Sequence, residues 1–200
     1  MSYEDILGWF NFADLYDEIA STCPEGGTIV EVGVACGRSI AYLARKVFET
    51  GRRIRIVAVD PWDLWGDDAR HPDRAHPTDA DLMGWHGRHH ALWDEHGSTF
   101  RVFLASMLRH APEEIDRISV VRMYSTEAAR LFVDRSVHAV FIDADHSYAG
   151  VRADLAAWSP KVSHDGIFAG HDLDDPEVRR AMDDAYRGRY RQQGTCWRVS

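Results

Sequence analysis

The fold is decided by the stretch Thr28-Ile-Val-Glu31-Val-Gly33-Val-Ala-Cys-Gly37, an apolar run that stops at two glycines. The β-branched residues predict a short strand, and the helical pattern that follows predicts a helix directly after the glycines. Such a turn lets a ligand approach the backbone closely, because glycine carries no Cβ atom. The spacing is not that of the G-x-G-x-x-G dinucleotide motif. A zwitterionic ligand is therefore expected here rather than a pyrophosphate, with Glu31 placed to accept a hydrogen bond relayed from its ammonium group.

Three further segments end in the same way, with an apolar run that stops at a carboxylate, a glycine or a histidine: Val57–Asp60, Phe141–His146 and Phe168–Asp172. In an open parallel sheet, ligands bind just beyond the carboxyl ends of the strands. These ends are therefore expected to meet in one crevice.

Strands alternate with helices along most of the chain. The predicted strands cover residues 28–32, 54–59, 119–123, 139–142 and 167–169, with a short edge strand at 195–199. The predicted helices cover residues 3–21, 38–49, 127–132, 148–158 and 176–190. This alternation implies crossover connections and an α/β fold with a doubly wound, mostly parallel sheet flanked by helices. The shortness of the last strand leaves open whether a partner subunit completes the edge of the sheet.

Residues 61–110 interrupt the alternation. Prolines mark an extended acidic loop, and Thr78-Asp-Ala-Asp81 predicts a capping box that opens a helix. An insertion on the ligand side of the sheet is a candidate substrate wall or lid. We therefore expect a single domain over residues 1–200 that carries this insertion.

Composition narrows the class of protein. The chain has 200 residues and 45% hydrophobic residues, which excludes a disordered chain, and its net charge of −9 makes nucleic acid an improbable partner. Three widely separated cysteines without CxxC spacing argue for a reducing compartment. No signal peptide opens the sequence, and no apolar run approaches the roughly 20 residues of a membrane span. A cytoplasmic protein without a membrane partner is expected.

Asp60 ends the second predicted strand, where a carboxylate can accept hydrogen bonds from both hydroxyls of a ribose. Together with the glycine turn, this acid resembles the nucleoside-binding half of class I S-adenosylmethionine-dependent methyltransferases, over about residues 28–185. The resemblance implies their Rossmann-like fold and S-adenosylmethionine as cofactor. Trp62 would line the adenine side of the pocket, and Tyr124 would stack on the base or simply pack. The implied cofactor-binding residues are Glu31, Gly33, Gly37, Ser39, Asp60, Trp62, Tyr124, Ser125 and Asp143.

The segments Phe141-Ile-Asp-Ala-Asp-His-Ser-Tyr148 and Gly166-Ile-Phe-Ala-Gly-His-Asp172 are similar to a narrower group. This group comprises the small-molecule O-methyltransferases of the macrolide-sugar and cephalosporin-tailoring type. The resemblance implies that His146 is the catalytic base. It also implies that Asp143, His171 and Asp172 hold a divalent metal such as Mg²⁺. His171 departs from the pattern, which prefers an acid at that position. A neutral imidazole would favour a softer ion, or would itself be a second candidate base if no ion binds.

The sequence thus predicts O-methylation of a hydroxyl on a small molecule, a sugar or phenol of a natural product, with His146 and Asp143 at the reaction centre. Two alternatives stay open: an NAD-linked oxidoreductase and a non-catalytic nucleoside-binding protein. A homodimer is common among the relatives that the chain resembles.

Overall fold

The computed structural model describes residues 2–63, 92 and 95–199. Their centre is a seven-stranded sheet in the order β3-β2-β1-β4-β5-β7-β6. The strands are β1 Thr28–Val32, β2 Arg55–Asp60, β3 Ile118–Arg122, β4 Val137–Ile142, β5 Val162–Gly170, β6 Tyr190–Gln193 and β7 Cys196–Val199. The first five are parallel, and β7 pairs antiparallel with both β5 and β6.

Helices cover the two faces of the sheet. They are α1 Ala13–Thr22, α2 Arg38–Glu49, α3 Thr99–His110, α4 Pro112–Ile115, α5 Ser125–Ala128, α6 Tyr148–Trp158 and α7 Pro176–Tyr186. Short 3₁₀ turns lie at Tyr3–Asp5, Ala129–Leu131 and Ser159–Lys161. No helix of the described residues is long and apolar enough to cross a membrane.

Side chains of β1 alternate between two hydrophobic cores, because successive residues of a strand point to opposite faces. Ile29 packs with α1, α2 and α3 on one face, and Val30 and Val32 pack with α6 and α7 on the other. Parallel strands covered on both faces bury nearly every residue. The doubly wound α/β architecture predicted from the alternation is confirmed.

The amino-terminal helix is shorter than predicted. Residues 3–21 form a 3₁₀ turn, an extended segment and then α1, rather than one helix. Gly8 has φ 155°, which is not helical, and its carbonyl accepts a hydrogen bond from Arg38 Nη1 at 2.8 Å. That contact ties the segment between the 3₁₀ turn and α1 to the first residue of α2.

The carboxyl-terminal segment also differs from the prediction of a helix up to residue 190. Helix α7 ends at Tyr186, where Arg187 and Gly188 both adopt positive φ. Residues 190–199 then form the β6–β7 hairpin, which the chain itself adds to the edge of β5.

The capping box at Thr78–Asp81 and most of the predicted insertion lie outside the described residues. Within 61–110, the structure describes α3, whose Val102, Phe103 and Met107 are fully buried against the sheet.

Candidate functional site

A cavity of about 770 Å³ opens at the carboxyl ends of the parallel strands. The strand ends contribute Gly33, Asp60, Asp143 and Asp172 to its wall, and the extended amino-terminal segment contributes Trp9 and Asn11. This volume lies within the range of small-molecule sites. The convergence of the strand ends predicted from the sequence is therefore present.

Gly33 allows the backbone after β1 to lie against the backbone after β4. It has φ 84°, and a Cβ atom added there would lie 1.9 Å from the carbonyl oxygen of Asp143. Only glycine allows this contact. Gly37 also has positive φ, at 98°, but its Cβ position faces Met107 and Phe103 of α3. Gly33 thus shapes the cavity, whereas Gly37 allows α2 to begin and α3 to pack closely against it.

Glu31 lies beneath the glycine turn and is only 1% exposed. Ser39 Oγ, which belongs to the cavity wall, donates a hydrogen bond to Glu31 Oε1 at 2.5 Å. The buried Tyr16 hydroxyl is a second hydrogen-bonding neighbour of the Glu31 carboxyl, and it opposes the effect of burial on the pKa of Glu31. Burial raises the pKa of Glu31 to about 8, and the nearby carboxylates of Asp143 and Asp60 add to that rise. Ser39 therefore links the cavity wall to a buried carboxyl group beneath the turn.

Asp60 holds the glycine turn in place. Its Oδ2 accepts hydrogen bonds from the backbone N–H groups of Val34 at 2.8 Å and Ala35 at 3.0 Å, and its Oδ1 accepts from Trp62 N at 2.6 Å. Burial raises the pKa of Asp60, and these three hydrogen bonds oppose the rise. Since a carboxylate oxygen has two lone pairs, Oδ1 keeps one acceptor position toward the cavity.

Trp62 does not line the cavity, which differs from the position expected beside an adenine. Its indole is 1% exposed and packs against Phe100 and Phe103, and its Nε1 donates to Ala35 O at 2.8 Å. Burial of a large aromatic surface favours this inward position. The neighbouring Asp63 lies in the cavity wall instead.

Tyr124 and Ser125 follow β3 and lie in the cavity wall. The Tyr124 hydroxyl donates a hydrogen bond to Asp63 Oδ2. Ser125 Oγ accepts a hydrogen bond from Trp158 Nε1 at 2.9 Å. These contacts join the ends of β2 and β3 to helix α6.

His146 and Asp172 form a pair at the opposite side of the cavity. His146 Nε2 lies 2.9 Å from Asp172 Oδ2 and 4.0 Å from Asp143 Oδ1, and half of the His146 side chain is exposed. The hydrogen bond with Asp172 raises the pKa of His146. Donor atoms of Asp143, His146 and Asp172 lie within 4.8 Å of one another, which is compact enough for a metal ion.

His171 is oriented differently from the predicted metal ligand. Its Nδ1 faces Asp172 Oδ1 at 3.0 Å and Asp143 Oδ1 at 3.7 Å, and its Nε2 faces Thr195 Oγ1 at 2.7 Å and Asn11 Oδ1 at 3.0 Å. Although burial alone lowers it, the hydrogen bonds with Asp143 and Asp172 raise the pKa of His171 to about 10. Both ring nitrogens of His171 therefore face polar partners. The compact group of possible metal ligands consists of the two aspartates and His146.

Several wall residues were not predicted from the sequence, among them Asn11, Asp63, Asp154 and Thr195. The sequence does contain a signal for Asp154. This acid shares the apolar face of α6 with Val151, Leu155 and Trp158, where an acid is unusual. Asn11 and Thr195 meet across 184 positions of sequence, so no local pattern reveals them.

The family model described as a methyltransferase domain matches residues 30–173, from the middle of β1 to the residue after Asp172. The chain belongs to this methyltransferase family. The catalysed reaction is accordingly an S-adenosylmethionine-dependent methyl transfer. No curated protein matches the methyltransferase by sequence.

Solved structures share the fold of this methyltransferase. The calicheamicin methyltransferase CalS11 is 21% identical, with a TM-score of 0.56 over 94% of this chain and 76% of that chain. The O-methyltransferase NovP is 14% identical, with a TM-score of 0.56 over 94% of this chain and 79% of that chain. An S-adenosylmethionine-dependent O-methyltransferase from Thermotoga maritima is 14% identical, with a TM-score of 0.55 over 92% of this chain and 52% of that chain.

The residues of the cavity fit the cofactor that the family uses. Ser39, which lies in the wall and is hydrogen-bonded to the buried Glu31, can relay a hydrogen bond from an ammonium group, and the free acceptor position on Asp60 Oδ1 suits a ribose hydroxyl.

Proposed function

We propose that this methyltransferase transfers a methyl group to a hydroxyl of a small molecule, a sugar or phenol of a natural product, with His146 as the base. The observation that carries the proposal is the His146–Asp172 pair, which faces the cavity at the carboxyl ends of β4 and β5. The fold neighbours CalS11 and NovP, which are a calicheamicin methyltransferase and an O-methyltransferase, support the choice of oxygen.

When bound, S-adenosylmethionine supplies an electrophilic methyl group. The chain's own residues would orient it: the glycine turn and Glu31 at the amino-acid end, Asp60 and Asp63 at the ribose, and Tyr124 and Ser125 at the base. Asp143 would then lie beside the reacting end. Because displacement at carbon requires the nucleophile and the leaving group in line, positioning supplies much of the rate.

His146 removes the proton from the acceptor hydroxyl. An alcohol is a weak nucleophile at neutral pH, and a positioned base contributes about 10²–10⁴-fold to such a step. Asp172 holds the imidazole at 2.9 Å and stabilises the imidazolium that forms. The positive charge that His171 carries between Asp143 and Asp172 offsets the repulsion of two adjacent carboxylates.

A divalent ion is the second candidate for activating the acceptor. Asp143, His146 and Asp172 would hold it, and the ion would lower the pKa of the acceptor hydroxyl. A donor set with one imidazole and two carboxylates suits Mn²⁺ or Fe²⁺ as well as Mg²⁺. In that arrangement His146 is a ligand and is not available as the base, so the two assignments exclude each other.

Residues 61–110 are proposed as one wall of the acceptor site, with Trp9 across the mouth of the cavity. The Trp9 side chain lies in the wall although the residue is 76% exposed. An aromatic platform of this kind accepts both sugars and phenols.

The proposal is tested by titrating S-adenosylhomocysteine calorimetrically and by screening phenols and nucleotide sugars for methyl transfer. With an active acceptor, His146→Asn is expected to lower kcat about 10²–10⁴-fold and to change S-adenosylhomocysteine affinity by less than about threefold. The matched control is His164→Asn, an exposed histidine on the opposite end of β5. Full activity in His146→Asn, or no binding of S-adenosylhomocysteine to the wild type, would refute the proposal.

A further inference from the structure

The charge of the cavity wall is strongly one-sided. Seven of the described wall residues are aspartates, and no lysine or arginine is among them. The wall groups that can carry a positive charge are His146 and His171, which lie 2.9 Å and 3.0 Å from the carboxylate oxygens of Asp172. Two imidazolium groups would offset two of the seven carboxylates. The wall therefore keeps an excess of negative charge.

This excess is not cancelled from behind the wall. Within the part of the chain that the structure describes, the ion pairs of lysine and arginine all use acids outside the wall. Asp145 accepts a hydrogen bond from the backbone N–H of Ser147 at 2.8 Å, and Asp63 accepts one from the Tyr124 hydroxyl. Asp174 has no hydrogen-bond or ion-pair partner among the described residues. Neutral donors leave the charge of these carboxylates in place, so it acts on any ligand that enters the cavity.

Part of this charge lies beside the proposed base. Asp145 and Asp174 follow β4 and β5, as His146 and Asp172 do, and both aspartates are exposed. The cofactor's nucleoside part is assigned above to the ends of β1, β2 and β3. S-adenosylmethionine has a sulfonium, an ammonium and a carboxylate group, and its single net positive charge does not balance the wall. The acceptor therefore meets uncompensated carboxylates.

Trp9 adds a second feature that suits a cation. Its side chain lies in the same wall and the residue is 76% exposed, and no described lysine or arginine stacks on its ring. The face of an indole attracts ammonium groups more strongly than the face of the other aromatic side chains. The sequence of residues 64–94, proposed above as part of the acceptor wall, carries six aspartates and three arginines, so its charge has the same sign.

We propose that the methyl acceptor is a hydroxylated amine that is protonated at neutral pH, such as an amino sugar or a phenol with an alkylammonium side chain. This inference rests on the proposed function and narrows its acceptor class. Trp9 and the carboxylates of Asp145 and Asp174 hold the ammonium group while the hydroxyl faces His146. An acceptor with a phosphate or carboxylate group is disfavoured, because a cleft with charge of one sign repels ligands of that sign.

Three phenols with similar shapes and different charges separate charge from shape: tyramine, para-ethylphenol and para-hydroxyphenylpropionate. An exposed ion pair contributes up to about fivefold in affinity, and a cleft of one sign strengthens the effect by focusing its field. With saturating S-adenosylhomocysteine, the wild type should bind tyramine about tenfold more tightly than para-ethylphenol, and the propionate about tenfold more weakly. Raising the salt from about 0.05 M to about 0.5 M should bring both ratios down to about threefold, because the Debye length shortens.

The experiment measures NMR line broadening of each phenol in the presence of the wild type, Asp174→Asn and Asp165→Asn. Asp174→Asn should weaken tyramine binding about two- to fivefold and leave para-ethylphenol binding unchanged. Asp165→Asn removes the same charge at an exposed position near the start of β5, outside the cavity wall, and should behave as the wild type does.

Equal affinity for the three phenols, a preference for the propionate, or no binding of any of them would overturn this inference. In each of these cases, binding of S-adenosylhomocysteine together with methylation of a neutral or anionic hydroxyl acceptor leaves the proposed function intact. If the wild type does not bind S-adenosylhomocysteine, the proposed function and this inference both fail.

Discussion

At the residue scale, the site depends on backbone contacts that leave little room for change. Gly33 brings the turn after β1 against the backbone of Asp143, so one atom added there reaches a residue of the reaction centre. Asp60 reinforces the same turn by accepting two of its backbone N–H groups. A residue that shapes the cavity, Gly33, is thus in direct backbone contact with Asp143 of the reaction centre.

Gly33→Ala is expected to destabilise the protein by about 3 kcal/mol or more and to abolish binding of S-adenosylhomocysteine. The substitution combines a strained positive φ with a direct overlap at Asp143. Gly51→Ala is the matched control, since Gly51 has φ 70° and open space at its Cβ position. The control should cost only about 1 kcal/mol. Urea denaturation measures both, and equal losses would contradict the steric explanation.

Glu31 makes stability depend on pH. Its pKa is about 8 in the folded protein, against an ordinary value near 4.5. Between pH 4.5 and pH 8, Glu31 is mainly protonated in the folded protein and mainly ionised in the unfolded chain. The contribution of Glu31 to the free energy of unfolding therefore falls as pH rises through this range. Ionising this buried group costs a few kcal/mol, about 1.4 kcal/mol for each pKa unit.

Glu31→Gln should remove that slope, because the amide does not titrate. The free energy of unfolding, measured in urea at pH 5, 6.5 and 8, should therefore decline less steeply in the variant than in the wild type. Glu113→Gln, at an exposed position, should follow the wild-type slope. If the Glu31→Gln and wild-type curves stay parallel, the raised pKa is refuted.

At the scale of elements, two segments from opposite ends of the chain support His171. Asn11 comes from the extended segment before α1, and Thr195 comes from the turn between β6 and β7. Both face Nε2 of His171, whose Nδ1 faces Asp172. The hairpin therefore completes the sheet and also fixes the orientation of a ring at the site.

Thr195→Val should lower kcat about tenfold with little change in S-adenosylhomocysteine affinity. Loss of one hydroxyl partner of a buried ring costs about 1–2 kcal/mol, and the loosened His171 shifts Asp172 away from His146. Thr22→Val is a control for the same chemical change, since its hydroxyl bonds the Glu18 carbonyl on α1, away from the cavity wall. A reduced affinity at unchanged kcat would instead place Thr195 in cofactor binding.

At the scale of the whole molecule, the parallel sheet brings ligand contacts from four strand ends into one cavity. Because a ligand that binds only the folded state stabilises it, S-adenosylhomocysteine should raise the free energy of unfolding by about 2.7 kcal/mol at 100 times its Kd. A thermal melt with increasing ligand measures this effect. No shift at saturating ligand would contradict a preformed site.

Removal of divalent ions should leave kcat within about twofold of its original value. His171 offers both Asp143 and Asp172 a positively charged partner, which is the electrostatic role that an ion would otherwise fill. The measurement is turnover after dialysis against a chelator, followed by addition of Mg²⁺ or Mn²⁺. A loss of activity that either ion restores would instead assign Asp143, His146 and Asp172 as metal ligands.

Local sequence patterns were enough to predict the alternation of strands and helices, the glycine turn, the acid at the end of β2 and the Asp-x-x-His segment. These features are local, since periodicity and turn chemistry depend on neighbouring residues. The predicted bounds of α2, α6 and β1 agree with the structure for the same reason. The ends of the chain were harder to predict, because a single glycine or a left-handed residue decides where a helix stops.

The pairs of atoms that face one another depend on how the elements pack together. Packing turned Trp62 into the core, paired His146 with Asp172, and engaged both nitrogens of His171. Each outcome depends on contacts between residues far apart in sequence, the extreme being Asn11 and Thr195. Hydrogen-bond direction and burial follow from packing around a side chain, and no pattern of neighbouring residues encodes them.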